Sequence, residues 1–357
     1  MADHLLEVRN LSVEFHTAQG TVHAVRNVSW HLDKGESLAI LGESGSGKSV
    51  SAAAILDLID CPPGRITSGE VLYNGVDLLT MQTEARRAVN GRRIAMIFQD
   101  PLSHLNPVYS VGFQIAEMMT SHGIARPEAR ERTLELLQRV GIPDSANRIN
   151  AYPHQFSGGQ RQRLMIAMAI ALKPDILIAD EPTTALDVTV QAQILALIEE
   201  LQQETGMGLL LITHDLGVVA EVADRVVVMN SGEIVESNTA ASVYSAPVHP
   251  YTKKLIASVP GTGEMATPLD TGIRPVLTIN GLSKSYDGFK ALDGASLTVL
   301  PGETVAVVGE SGSGKTTLAK TLLRLEDATA GEALYQGRDL VSMPPHELFE
   351  LRRELQM

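Results

Sequence analysis

Four short runs of consecutive apolar residues punctuate the chain, and polar residues follow each at once. Ser37–Leu41 runs into Gly42, Ile94–Phe98 into Gln99, Ile176–Ala179 into Asp180-Glu181, and Leu209–Thr213 into His214-Asp215. Unbroken apolar runs of this length suit strands of a parallel sheet covered on both faces, whereas a strand with one wet face alternates. Helical patterns lie between them. One is predicted over about Ser49–Leu58, and Pro127–Val140 reads as an amphipathic helix that begins at a proline and stops at Gly141. Arg161–Leu172 reads as an apolar helix whose Leu164–Leu172 part belongs to a core rather than to a cofactor site. The expected class is α/β. Ligands of open α/β sheets gather beyond the carboxyl ends of the strands, so the four polar stops are predicted to converge on one site.

The chain also repeats itself. Gly42-Glu43-Ser44-Gly45-Ser46-Gly47-Lys48-Ser49 recurs as Gly309-Glu310-Ser311-Gly312-Ser313-Gly314-Lys315-Thr316. The preceding Asn27–Glu36 parallels Gly294–Glu303, and the following Ser68–Leu78 parallels Ala330–Leu340. These ordered matches point to a tandem duplication. The first copy carries Arg92-Arg93 into Ile94–Phe98 and on to Gln99, whereas its second-copy equivalent, Arg352-Arg353, stands near Met357. The expected organisation is a complete domain over 1–260, a Gly- and Pro-spaced linker over 261–275, and an incomplete second copy over 276–357. That copy is expected to lack the strands bearing the later motifs, leaving an unpaired sheet edge and an uncovered apolar face.

Gly-x-x-x-x-Gly-Lys-Ser between a strand and a helix wraps a phosphate chain in backbone N–H groups. The glycines at 42, 45 and 47 permit the tight backbone. Lys48 is placed to reach the β- and γ-phosphates and the Ser49 hydroxyl to coordinate Mg²⁺. Asp180 at a strand end fits a magnesium anchor, and Glu181 beside it suits orienting or deprotonating an attacking water. His214 is expected to contact the γ-phosphate, and Gln99 to coordinate the metal or a water and to report on that phosphate. Phe156-Ser157-Gly158-Gly159-Gln160 precedes an apolar helix, where free N–H groups and the helix dipole make an anion site.

Composition narrows the partners. The 357 residues carry 29 Lys+Arg against 42 Asp+Glu, a formal net charge of −13. Nucleic acid is thereby disfavoured as the main partner, since phosphate backbones are held by clustered Lys and Arg. A single cysteine, Cys61, excludes an intrachain disulfide and a thiolate-rich metal site. The N-terminal residues carry acids early and lack the apolar core of a secretory signal. Apolar runs such as Met165–Leu172 fall well short of the ~18 residues of a membrane span, so any work at a membrane is expected to be done from its side.

Taken in order, these motifs resemble those of ABC transporter ATPases. Ser157–Gln160 after Phe156 looks like the signature loop, with Phe where Leu is usual. The resemblance assigns Phe15 to base stacking, with Tyr286 as its second-copy counterpart, and Gln99 to the Q-loop. It assigns Asp180-Glu181 to the second nucleotide motif, Thr184-Ala185-Leu186-Asp187 to the D-loop, and His214 to the switch histidine. Phe98–Pro107, Ala179–Gln193 and His249–Leu255 are similar to the peptide/nickel importer branch, with His104 in place of an expected Ser, and the tandem layout is similar to fused two-ATPase subunits. The family implies a P-loop NTPase fold with a mixed sheet core and antiparallel and helical subdomains. It also implies ATP and Mg²⁺ as cofactors, two membrane permease subunits and a substrate-binding protein as partners, and a place on the cytoplasmic face of a bacterial inner membrane. In the family, ATP sits between the phosphate loop of one domain and the signature loop of another. The resemblance therefore implies that a second ATPase domain, from another chain, completes the site built on Lys48. Ribosome-acting ABC proteins fit less well, since 261–275 has one Arg and no Lys, and DNA-repair ATPases insert a coiled coil that Lys48–Ser157 lacks.

Overall fold

A computed structural model of the chain describes residues 4–184, 186–258, 272–310 and 312–357. Ala185, Ser311 and most of the expected linker (261–271) lie outside the described residues. The chain divides into two compact units, Met1–Leu186 with Val190–Thr262 and Asp187–Thr189 with Gly263–Met357.

The first unit begins with β1 (Leu6–Thr17), β2 (Gly20–Leu32) and β3 (Ser37–Leu41), then α1 (Lys48–Ile55), β4 (Gly64–Tyr73) and β5 (Val76–Asp77). Next come α2 (Thr83–Val89), β6 (Ile94–Ile97), α3 (Pro101–His104), α4 (Val111–Thr120), α5 (Arg126–Arg139), α6 (Ser145–Arg148) and α7 (Gly158–Ile170). The order continues with β7 (Ile176–Asp180), α8 (Val188–Thr205), β8 (Gly208–Thr213), α9 (Leu216–Val222), β9 (Arg225–Asn230), β10 (Glu233–Thr239), α10 (Ala240–Ser245) and α11 (Pro250–Ala257).

The four apolar runs become neighbouring parallel strands. β3, β8, β7 and β6 lie side by side, β9 joins β3 in parallel on its other edge, and β10 closes the sheet antiparallel to β9. Every residue of β3, β7 and β8 is buried. The reason is two covers, divided by the two-residue period of a strand. Leu38, Ile40, Ile176, Ile178, Leu210 and Ile212 face one cluster, completed by Leu6, Val8, Leu11 and Val13 of β1 and Ala52 and Ile55 of α1. Ala39, Leu41, Leu177, Ala179, Leu209 and Leu211 face the other, completed by Leu164, Ile166, Ala167 and Ile170 of α7 and by the helices of 111–149. The first cover is an antiparallel sheet of order β2-β1-β4-β5, whose period breaks between Val8 and Leu11 with Asn10 at φ 48°.

The predicted helices shift slightly at their ends. α1 starts one residue before the expected Ser49 and ends at Ile55, three short of Leu58. α7 starts at Gly158 rather than Arg161, because Ser157 caps it by accepting a hydrogen bond from the Gln160 N–H, while Gln160 Oε1 accepts one from the Ser157 N–H.

The second unit contains β11 (Leu277–Tyr286), β12 (Phe289–Val299), α12 (Lys315–Leu322), β13 (Ala330–Tyr335), β14 (Arg338–Asp339) and α13 (Pro345–Leu351). Its antiparallel sheet, β12-β11-β13-β14, has the order and pairing of β2-β1-β4-β5. Thr304–Val308 has the apolar pattern of β3, yet it forms no strand, and Val305, Val307 and Val308 are 38%, 48% and 87% exposed. In the first unit that pattern is held between β8 and β9; among the described residues of the second unit no such neighbours flank it.

Candidate functional site

The turn from β3 into α1 demands glycine where the sequence supplies it. A Cβ on Gly42 would lie 2.3 Å from the Met229 carbonyl oxygen, and one on Gly47 the same distance from that of Ala24. Gly47 is moreover left-handed, at φ 98°, as the N-cap of α1. This backbone lets Lys48 turn back inside the loop, 4% exposed, where Nζ donates to the carbonyls of Gly42 (2.7 Å) and Glu43 (2.9 Å). Burial draws the ammonium's pKa down, and the carboxylates of Glu181 and Asp180 oppose that.

The ends of the other strands arrive at the same place. Ser49 Oγ donates to Asp180 Oδ1 at 3.0 Å. Burial pushes the Asp180 pKa up, and the Ser49 hydrogen bond only partly offsets it. Glu181 follows in a left-handed conformation, φ 45°, held by its N–H on the Ile212 carbonyl (2.8 Å). Its carboxylate collects three donors: His214 Nδ1 at 3.0 Å, Gln99 Nε2 at 2.7 Å and Thr184 Oγ1 at 3.0 Å. Burial would raise the Glu181 pKa, but the hydrogen bonds from His214 and Thr184, with the charges of His214 and Lys48, bring it below the ordinary value. An ionised carboxylate only accepts, so this pairing assigns the His214 proton to Nδ1.

Lys48, Ser49, Gln99, Asp180, Glu181 and His214 thus form one connected group. Lys48 bonds to carbonyls of its own loop, and Gln99 and His214 both bond to Glu181. A hydroxyl and a carboxylate 3.0 Å apart are hard oxygen donors of the kind Mg²⁺ takes, so Ser49 and Asp180 fit that ion.

Other expected residues stand apart. Phe15 lies half-buried on β1 against Gly64. Ser157, Gly158, Gly159 and Gln160 open α7, and no hydrogen bond ties them to the Lys48 group among the described residues. A Cβ on Gly159 would meet Val190 of α8 at 2.5 Å, so packing alone accounts for that glycine. Asp187 falls in the second unit. There Lys315 repeats the geometry of Lys48, with Nζ 2.7 Å from Gly309 O and 2.6 Å from Glu310 O, and Gly314 repeats the left-handed cap at φ 93°. Gly312, Ser313 and Thr316 complete that loop, but among the described residues no carboxylate answers Thr316 as Asp180 answers Ser49. Tyr286 sits on β11, 40% exposed, beneath the Lys284 ammonium. Sequence reasoning missed two contacts: Thr184 on Glu181, and the Tyr251 phenol oxygen, which accepts from the Glu43 N–H at 3.2 Å. Both lie inside motifs noted for resemblance alone.

The family described as ABC transporter matches residues 25–184 and 292–357. The chain belongs to that family. Among ABC relatives, the peptidoglycan transport ATP-binding protein YejF of Agrobacterium fabrum is 48% identical over 99% of this chain and 66% of its own length. The glutathione import ATP-binding protein GsiA of Escherichia coli is 42% identical over 99% of this chain and 64% of its own. The chain therefore spans just under two thirds of the length of these relatives. Two solved ABC structures share the fold. The ATP-binding cassette MJ0796, a dimer in a post-hydrolysis state with ADP and Pi, superposes with a TM-score of 0.59 at 27% identity, covering 66% of this chain and 98% of that one. CbiO1 of Clostridium perfringens does so with a TM-score of 0.59 at 27% identity, covering 72% and 96%.

Proposed function

We propose that the chain binds ATP on the Gly42–Ser49 loop, hydrolyses it at Glu181, and serves as an ATPase subunit of a peptide-type importer. The observation that carries the reading is the Glu181 carboxylate, ionised and held by Gln99 and His214 beside the Ser49–Asp180 pair. Lys48 exchanges its loop carbonyls for phosphate oxygens. Glu181 orients a water and takes its proton as the water attacks the γ-phosphate, giving ADP and phosphate. Mg²⁺ held by Ser49 and Asp180 would neutralise phosphate charge. His214 and Gln99 keep the base in place and link it to β8 and β6.

Domains 1–260 and 276–357, joined by 261–275, form the proposed organisation. Ser157–Gln160 of a second ATPase domain, from another copy or a partner subunit, closes over the nucleotide; MJ0796, solved as a dimer with ADP and Pi, supports pairing of this kind. No helix among the described residues is long and apolar enough to cross a membrane. Two membrane permease subunits and a substrate-binding protein are the proposed partners. The segment after Gln99 is the proposed permease contact. Leu102, Val108, Tyr109 and Phe113 are exposed there, and an apolar cavity of about 250 Å³ opens beside β6 between Phe98, Met118 and Met168. The name of GsiA supports glutathione and similar short peptides as the cargo class, while that of YejF names peptidoglycan.

The test is reconstitution of the chain in vesicles with its permease pair and binding protein. Uptake of labelled glutathione or short peptides should need Mg-ATP and vanish with Lys48→Ala. ATP-independent uptake, or hydrolysis that survives Lys48→Ala, overturns the reading.

A further inference from the structure

We propose that Tyr251 is a positioning residue for the phosphate loop, a side-chain strut through which the segment 233–257 sets nucleotide affinity. The inference rests on the nucleotide reading of the Gly42–Ser49 loop and adds a determinant outside it. Two hydrogen bonds tie that loop's backbone to the same stretch of chain. The Gly232 N–H, in the turn between β9 and β10, donates to Ser46 O at 3.0 Å. The Glu43 N–H donates to Tyr251 Oη at 3.2 Å. The first tie is backbone to backbone, so the second is the one a substitution can remove.

The phenol's position is itself built. On β10, Glu236 accepts the N–H groups of Val248 and His249, both at 2.9 Å, which fixes the approach to α11. His249 caps that helix, its Nδ1 accepting the Tyr251 N–H at 3.2 Å, and Pro250 occupies the first turn. Tyr251, Leu255 and Ile256 pack against the helical-side core, so the ring is held half-buried with its oxygen on the loop. Burial raises the phenol's pKa, which keeps it a neutral hydroxyl.

What the strut holds is residue 43. The Glu43 carbonyl accepts both Lys48 Nζ at 2.9 Å and the Ser46 N–H at 3.2 Å. The same residue is thus gripped at its N–H from outside and at its carbonyl by the phosphate-binding lysine. A loop so framed keeps its N–H groups convergent before the nucleotide arrives, and the ordering cost is met during folding rather than binding.

The experiment uses the full chain and Mg-ADP as probe, by titration calorimetry, with steady-state ATP hydrolysis alongside. Tyr251→Phe keeps the ring and removes the oxygen. It should leave the melting temperature near that of the parent chain and raise both the Mg-ADP Kd and the ATP KM by about three- to tenfold, the worth of one neutral hydrogen bond. The kcat at saturation should fall by less than KM rises. Tyr251→Ala should repeat the affinity loss and add a drop in melting temperature. A Tyr251→Phe protein that binds Mg-ADP like the parent chain, while Tyr251→Ala weakens it, reduces the role to packing and overturns the proposal. Lys48→Ala separates the two readings: it should abolish binding, and if it does not, the nucleotide reading fails together with the strut.

Discussion

Replacing Glu181 with Gln changes one oxygen for an NH₂ group and leaves the shape of the side chain intact. The carboxylate has three donors on it, from His214, Gln99 and Thr184. An amide offers one accepting oxygen and two donating hydrogens, so some of those partners must adjust. Each can: His214 by moving its proton to the other nitrogen, Gln99 by turning its amide over, Thr184 by rotating its hydroxyl. The substitution also removes a negative charge that pushes up the pKa of its neighbour Asp180. Global stability should therefore move by no more than about 1 kcal/mol. Chemistry should suffer far more. The amide has no affinity for the water's proton, and a lost general base costs about 10²–10⁴ in rate, roughly 2.7–5.5 kcal/mol of transition-state stabilisation. Single-turnover phosphate release at saturating Mg-ATP, with binding measured in parallel, gives both numbers. Size-exclusion chromatography of the same variant with Mg-ATP should show a dimer, since nucleotide would then hold two domains together without release. A rate within tenfold of the parent chain would refute Glu181 as the base, and a strictly monomeric variant counts against pairing between chains.

Three other outcomes test the supports of the site. Gly47→Ala places a Cβ 2.3 Å from the Ala24 carbonyl oxygen at φ 98°, so it should destabilise the first unit by about 2–4 kcal/mol and abolish Mg-ATP binding; retained binding by calorimetry contradicts the loop geometry. Burial alone would raise the Glu236 pKa, but N–H groups of Val248 and His249 hold it below the ordinary value, so its stabilisation is present above that value and lost as pH falls through the folded one. Glu236→Gln should thus cost about 1 kcal/mol at neutral pH, allowing for solvent screening, and progressively less as pH falls below the ordinary carboxylate value; a deficit by urea unfolding that does not shrink with falling pH rules this out. In hydrogen exchange, the amides of 37–41 should exchange on the order of a thousandfold more slowly than those of 304–308, and similar rates would show that the two segments share a structure.

That last comparison separates what a sequence carries locally from what it carries only through partners. The phosphate loop is local in its lysine: Lys315 reaches carbonyls five and six residues away, as Lys48 does. The motif could be read from eight letters because the lysine's hydrogen bonds close within them. The strand before it is not local. Thr304–Val308 and Ser37–Leu41 have the same apolar character, but an extended segment leaves its N–H and C=O groups unpaired until a neighbouring strand accepts them. Ser37–Leu41 finds β8 and β9 on its two sides, and the apolar pattern then records burial on both faces. The convergence of Gln99, Asp180, Glu181 and His214 was legible because each is a first or second polar residue after such a run, and parallel strands in register deliver their ends together. Thr184 and Tyr251 follow no run of this kind. Thr184 reaches Glu181 through a turn three residues long, and Tyr251 reaches Glu43 across 208 positions. No periodicity encodes either contact; they exist because the fold brings a helix N-terminus and a turn beside a loop whose backbone and carboxylate have bonds to offer.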